Sequence, residues 1–406
     1  MSKPQIRFKG FEDEWQRLPL YSCGTFNPKT DLPSTFEYVD LESVVGTVMT
    51  RHRTEDKSSA PSRAQRLARK GDIFYQTVRP YQKNNLLFEL EENNYVFSTG
   101  YAQIRPIING RFLFSILQKD SFVNEVLLNC TGTSYPAINS TVLSELLITK
   151  PDSEEEQANI GDYFKQIDEM ISEVEREVDR LEKMKQASLQ KMFPRPGATA
   201  PEIRFKGFTG DWICGKLSEL LEIDDNRNSQ NELGREDVLS VSGEFGLVNQ
   251  IKFQGRSFAG ASLHNYKITH SGQVVYTKSP LKAQPFGIVK SNQYGDGLLS
   301  PLYAVYNTIN NACADFIHYY FEPVARLNNY LRPLINKGAK NTILISDETA
   351  LQGVIHYPRD AKEQFLIADY FLKLDSLLFT KRQKLVKLRN IKQACLDRMF
   401  VNTSDL

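Results

Sequence analysis

Nine lysines and arginines against three acids fall between Arg51 and Lys83, with Arg63, Arg66 and Arg69 three residues apart. Lysine and arginine neutralise phosphates, and the arginine fork matches the O6 and N7 edge of guanine. Interleaved Tyr81, Gln82 and Asn84 add groups able to hydrogen-bond base edges. A second basic stretch, Lys252, Arg256, Lys267, Lys278, Lys282 and Lys290, runs for about forty residues without an Asp or Glu and includes Asn265 and Gln284. One such stretch is ordinarily a solvated face. Two at equivalent positions of a repeat point to nucleic acid. Ranked by chemistry and position, the candidate DNA contacts are Arg51, Arg53, Arg63, Arg79 and Lys83, then Lys252, Arg256, Lys278, Lys282 and Lys340. More than half of such contacts ordinarily go to the DNA backbone and the remainder to bases.

Signatures of catalysis are missing. Gly210, Gly215 and Lys216 imitate a phosphate-binding loop, but Leu217 stands where a Ser or Thr is required, so no ATP site is expected. No dinucleotide-type glycine motif follows a strand, and no adenine-methylation or H-E-x-x-H motif occurs. The five histidines, 52, 264, 270, 318 and 356, lack partners at ligand spacing. Cysteines 23, 130, 214, 313 and 395 are isolated and odd in number, which argues against a disulfide framework or a zinc site and for a reducing, cytoplasmic setting. No run approaches the roughly 18 apolar residues of a membrane span. The residues themselves thus describe a binding protein with no active site of its own.

Two copies of one element plan position these residues. Pro4 to Phe11, followed by Trp15, returns as Pro201 to Phe208, followed by Trp212. About 150 residues later, Glu156-Gln157, Ile160, Asp162-Tyr163-Phe164 and Asp168 return as Glu363-Gln364, Ile367, Asp369-Tyr370-Phe371 and Asp375. A repeat of some 200 residues exceeds any solenoid unit, so each copy is a domain with a trailing helix. The helix shows in an alternating four-three apolar step, Ile160, Phe164, Ile167, Ile171, Val174, Val178 and Leu181. Ile367, Phe371, Leu374, Leu378, Leu385 and Leu388 repeat it, with Lys381 replacing Val174, and both copies finish in Met-Phe, at Met192-Phe193 and Met399-Phe400. Residues 152–191 carry twelve acids and six bases, and residues 359–398 carry ten bases and five acids. Opposite charge favours pairing of the two helices within one chain, and duplicated halves favour an antiparallel pair. Expected boundaries are a first domain over 1–151, a helix over 152–193, a linker rich in Pro and Gly over 194–201, a second domain over 202–357 and a helix over 358–400.

Within the domains, Gly71 to Tyr75 and Gly272 to Tyr276 read as equivalent strands. The expected fold is mixed α+β, with two repeated α/β domains and two long helices in an antiparallel coiled coil. The full pattern resembles the specificity subunits of type I restriction-modification systems. That likeness rests on the duplicated halves, the Gly132-Thr133-Ser134-Tyr135-Pro136-Ala137-Ile138-Asn139 segment and the Glu-Gln-x-x-Ile-x-Asp-Tyr-Phe helix openings. The second copy departs from it, with Lys337-Gly338-Ala339-Lys340-Asn341-Thr342 where the first has Gly-Thr-Ser-Tyr-Pro. The resemblance implies two target recognition domains, each reading half of a bipartite double-stranded DNA site in the major groove, with the helices setting the spacer. It also implies partners: two methylation subunits carrying S-adenosylmethionine, and restriction subunits using ATP and Mg, with no cofactor in this chain. Asp162, Tyr163, Asp369 and Tyr370 are candidates for docking the methylation subunits; the alternative is that they cap the helices and pack on their own domains. A rival reading of the whole chain is a non-catalytic two-domain scaffold that binds other proteins. Such a scaffold would not need two divergent basic loops on a common frame.

Overall fold

A computed structural model describes residues 3–278, 284–337 and 343–401, and the chain divides into two compact units. One unit takes residues 1–176 with 382–406; the other takes 177–381. The mixed α+β class expected from sequence is present. No helix among the described residues is long and apolar enough to cross a membrane.

In the first unit Ile73–Gln76 is a strand whose four residues are all buried, as an unbroken apolar run predicts for a central position. It pairs antiparallel with Tyr101–Pro106 and with Leu86–Leu87, and Gly24–Phe26 adds the far edge. Gly24 is needed there, because a Cβ would lie 2.7 Å from the Arg105 carbonyl oxygen. A second four-stranded sheet runs in the order Arg53–Asp56, Thr35–Val39, Tyr95–Ser98, Ala64–Leu67. Helices Gly110–Leu117 and Asp120–Leu128 close over the core. The Asn109 side chain caps the first of these by accepting from the Phe112 N–H.

The second unit repeats this plan. Val274–Thr277 is again buried throughout and lies between Tyr303–Thr308 and Ile288–Ser291. Leu221–Ile223 takes the far edge, and Ala314–Phe321 with Val324–Leu331 supply the helices. Its other strands form two-stranded pairs, Leu239–Ser242 with Gly246–Asn249 and Lys267–Thr269 with Gly297–Leu299.

The long helices are Glu154–Lys191 and Ala361–Arg398, each 38 residues, or about 57 Å at 1.5 Å per residue. Each unit contains the start of one and the end of the other, and within each the two segments run antiparallel. In the first unit Tyr163 Oη meets Cys395 Sγ at 3.3 Å, Asp168 pairs Lys392 at 2.6 Å and Glu175 pairs Arg389 at 2.6 Å. In the second, Lys381 pairs Glu177 at 2.5 Å, Asp375 pairs Lys185 at 2.6 Å and Tyr370 Oη meets Ser188 Oγ at 3.0 Å. The charge complementarity seen in the sequence is therefore used as cross-helix pairs. Ile160, Phe164, Ile167 and Val174 are buried, as are Ile367, Phe371, Leu374 and Leu378, whereas Ile171, Val178, Leu181, Leu385 and Leu388 are half-buried. Burial is greatest toward the start of each helix, where Ile160 and Phe164, and Ile367 and Phe371, also belong to a domain core.

Helix ends complete the cores. Leu396, Met399, Phe400 and Val401 belong to the apolar cluster of the first unit, and Leu189, Met192 and Phe193 to that of the second. Phe400 packs against Trp15, Phe112 and Phe164; Phe193 packs against Trp212, Phe316 and Phe371. The opening segments, residues 4–11 and 201–208, brace the same joint. Arg7 holds the buried Glu156 through bonds of 2.7 and 2.8 Å, and Arg204 holds the buried Glu363 through bonds of 2.6 and 2.8 Å. Gln157 accepts from the Asn109 N–H and Gln364 from the Cys313 N–H. The repeated Arg-Phe and Glu-Gln motifs are thus the parts that join each helix to its domain.

Candidate nucleic-acid interface

Ion pairs sort the basic residues of the first unit. Arg51 meets Glu42 at 2.6 Å, both largely exposed; such a pair is weak and leaves the guanidinium available. Arg53 is held by Asp40 at 2.9 Å and Glu55 at 2.6 Å and lies over the Tyr38 ring, 4.7 Å from its centroid. Burial pushes the Asp40 carboxyl up, but hydrogen bonds from Ser43 and Arg53 outweigh it, and the group titrates below its ordinary value. His52 meets Glu37 at 2.7 Å. Three of these acids, Glu37, Asp40 and Glu42, lie outside the basic stretch in sequence, so the positive charge expected there is partly cancelled by a neighbouring strand and turn.

Arg63 is exposed and makes no ion pair among the described residues. Arg66 is half-buried, its charged form disfavoured by burial, and Arg69 is exposed. Arg79 and Lys83 flank a one-turn helix, Pro80–Gln82. Lys83 is tied down by the Gln118 carbonyl at 2.9 Å and Asp120 at 2.5 Å. The guanidinium of Arg79 instead lies on the Tyr135 ring, 4.2 Å from the centroid. Tyr81 is exposed, but Gln82 accepts from Gln76 at 2.9 Å and Asn84 accepts from the Gly46 N–H at 2.8 Å. The structure therefore brings Arg79 and Tyr135 together at one loop surface, leaves Tyr81 exposed two residues along, and commits Lys83, Gln82 and Asn84 to holding the loop. Tyr135 stands 56 positions from Arg79, and no local pattern announces that pairing.

In the second unit the basic stretch is divided between surface and interior. Lys252 is exposed, with Nζ 3.3 Å from Tyr294 Oη, and Arg256 lies over the Phe258 ring at 4.7 Å. Lys278 and the buried Lys267 share the carboxylate of Asp347, Lys267 at 2.7 Å. Burial raises the Asp347 carboxyl, but both lysines pull it down, and the net shift is downward. Lys290 is buried against His318, Nζ to Nε2 2.8 Å, where burial lowers its pKa. A stretch without acids is thus only partly a surface. Lys282 and Lys340 lie outside the described residues.

Of the candidate docking residues, Tyr163 and Tyr370 are half-buried within their units, packed edge-on against Phe8 and Phe205. The bond to Cys395, aided by burial, pushes the Tyr163 hydroxyl up to about 12. Asp162 and Asp369 are exposed and pair with Arg111 and Lys373. Among the described residues, no group of three or more His, Cys, Asp or Glu side chains is placed to hold a metal ion.

Comparison with known proteins agrees with this architecture. Residues 64–183 match the family described as the type I restriction modification DNA specificity domain. Over 140 residues the chain is 30% identical to the specificity subunit of the type I restriction enzyme HindI of Haemophilus influenzae, a match covering 33% of this chain and 30% of that protein. The S subunit of a type I restriction-modification system from M. genitalium superposes with a TM-score of 0.64 at 14% identity, covering 99% of this chain and all of that one (100%). A chain from a study of complex assembly and conformational transition in the type I system superposes with a TM-score of 0.51 at 22% identity, covering 95% and 97%. Residues 64–183 thus match the type I restriction modification DNA specificity domain, and the chain as a whole shares the fold of the solved type I S subunit.

Proposed function

We propose that this chain is the sequence-specific DNA-binding subunit of a type I restriction-modification complex. In this reading each repeated domain binds one half of a bipartite duplex target through the major groove, and the paired helices set the number of unread base pairs between the halves. A stiff spacer enforces register on a periodic duplex, as subunit separation does for dimeric repressors. Methylation of adenine and ATP-dependent cleavage would be directed from here but performed by partner subunits, which supply S-adenosylmethionine, ATP and Mg. The faces of the helices around Asp162 and Asp369 are offered to the methylation subunits.

The observation that carries the proposal is the pairing of one repeated frame with two different loop surfaces. Identical Arg-Glu and Trp-Phe joints close both units, while Arg79 with Tyr135 in one and Lys252 with Arg256 in the other sit on unrelated loops. The test is to isolate the tagged chain from its host, identify what accompanies it, and map modified adenines on DNA treated with the complex. An adenine methyltransferase in about twofold excess, with modification at two half-sites a fixed distance apart, is the expected result. Isolation without a methyltransferase would favour a protein-binding scaffold instead.

A further inference from the structure

Arg79 has φ 53° and ψ 55° immediately before Pro80. Proline drives its predecessor to extended backbone, and a non-glycine residue in the left-handed region is strained and persists only where its surroundings impose it. Here they do. The Arg79 N–H donates to the Pro136 carbonyl at 2.7 Å, the Gln82 N–H returns to the Arg79 carbonyl at 3.0 Å, and Val78 bridges Ala137. Gln76 Nε2 holds the Val78 carbonyl at 2.6 Å, and Ile138 donates to Thr77 at 3.0 Å. Two loops far apart in sequence are laced together at the root of one arginine.

Lys83 has the same φ of 53°, and its ammonium group is spent on Gln118 and Asp120. Arg79 is different: it forms no ion pair among the described residues, and its guanidinium lies on the exposed ring of Tyr135. Seating the guanidinium over the ring restrains it without using the hydrogens of its terminal nitrogens. A phosphate can also take such a fork, but it accepts a flexible cation as a point charge and does not require one. A planar fork held on a braced backbone suits paired acceptors in one plane, which a guanine presents through O6 and N7 in the major groove. We infer that Arg79, seated over Tyr135, reads one guanine of the half-site bound by the first domain.

This inference rests on the DNA-reading function proposed above, and the experiment separates the two. The full chain, with its accompanying subunits, is given a plasmid library, and the modified motif is mapped for wild type, R79K and Y135A. A wild-type complex that modifies no bipartite motif sinks the function and this inference together. If wild type shows a motif, the expected result is that R79K, which keeps the charge, loses about 5- to 150-fold preference for guanine at one position. Y135A relaxes the same position, and the other half-site is unchanged in both. R79G, whose backbone accepts the left-handed region, melts no lower than wild type and shows the same relaxation, which removes misfolding as an explanation. An unchanged motif overturns the assignment. So does a uniform loss over all positions with the salt slope reduced by about one, the mark of a phosphate anchor.

Discussion

In the first unit the buried carboxylate of Asp72 takes two hydrogen bonds of 2.8 Å from Arg105 and a third from Gln103. At the equivalent place in the second, Gln273 donates to Asp224 at 2.6 Å and to Asn307 at 2.7 Å. One frame anchors the start of its central strand with an ion pair and the other with an amide. The contrast sharpens one strand further along. Leu86 and Leu87 of the first unit correspond to Lys290 and Ser291 of the second, and Phe114 corresponds to His318. Apolar packing in one unit is a buried polar cluster in the other, with Lys290 Nζ and Ser291 Oγ 2.8 and 3.2 Å from the imidazole. By contrast Arg7 and Arg204, Trp15 and Trp212, and Phe400 and Phe193 do the same work in both. The joint between helix and domain keeps its main contacts in both copies because a distant segment must find it; the sheet faces need only be filled and satisfied.

The comparison can be attacked at four points. The largest effect is expected from removing one heptad from both helices, residues 173–179 and 380–386, which keeps the seam in phase. Each helix shortens by about 10 Å, close to three base pairs at about 3.4 Å each. Modification at the original spacing should vanish and reappear with a shorter spacer; an unmoved spacing would show that the helices are not the ruler.

Next come F400A and F193A, each expected to cost about 3 to 5 kcal/mol in urea unfolding. Equal costs would establish the joints as equivalent, and a gap beyond about 2 kcal/mol would break the comparison.

Replacing Lys290 and His318 by the first unit's residues, K290L with H318F, should stabilise by about 1 to 2 kcal/mol. His318 is held well below its usual value of 6.5, first by burial and then by Lys290 and Lys185. Only the unfolded histidine then binds a proton as the pH drops through 6.5, so wild-type stability falls with acidity. The double variant should lose that slope, and calorimetry across this range checks it.

The smallest effect belongs to E175Q, which removes a partly exposed pair with Arg389 and should cost less than about 1 kcal/mol. A larger loss would mean that cross-helix charge, more than the apolar seam, holds the helices.

How much of this was legible depended on distance along the chain. The heptad step and the repeated motifs are local, and they announced both helices, the antiparallel pairing and the mixed class. The terminal Met-Phe pairs were visible as a repeat, yet their role was hidden because the aromatic partners of Phe400 lie more than 200 residues away. Basic stretches misled for the same reason. Glu37, Asp40 and Glu42 reach Arg51, His52 and Arg53 through strand pairing, and Lys267 and Lys290 turn inward to Asp347 and His318. Counting charge along a window cannot see a carboxylate delivered by another strand. In the sequence Arg79 shows only its charge, whereas its backbone and its ring partner emerge only once the two loops are laced together.

The exchange of helix ends also orders synthesis. Residues 177–381 form one unbroken stretch, so the second unit has all its parts once the ribosome has passed the middle of the last helix. The first unit, though begun earlier, must wait for Phe400 and Val401 before Trp15, Phe112 and Phe164 are covered. A nascent chain therefore carries an open aromatic socket around Trp15 until the last helix has been made. A chain broken off at Arg398 would keep every residue of the later-made unit and leave the earlier-made one without its Phe400 cap.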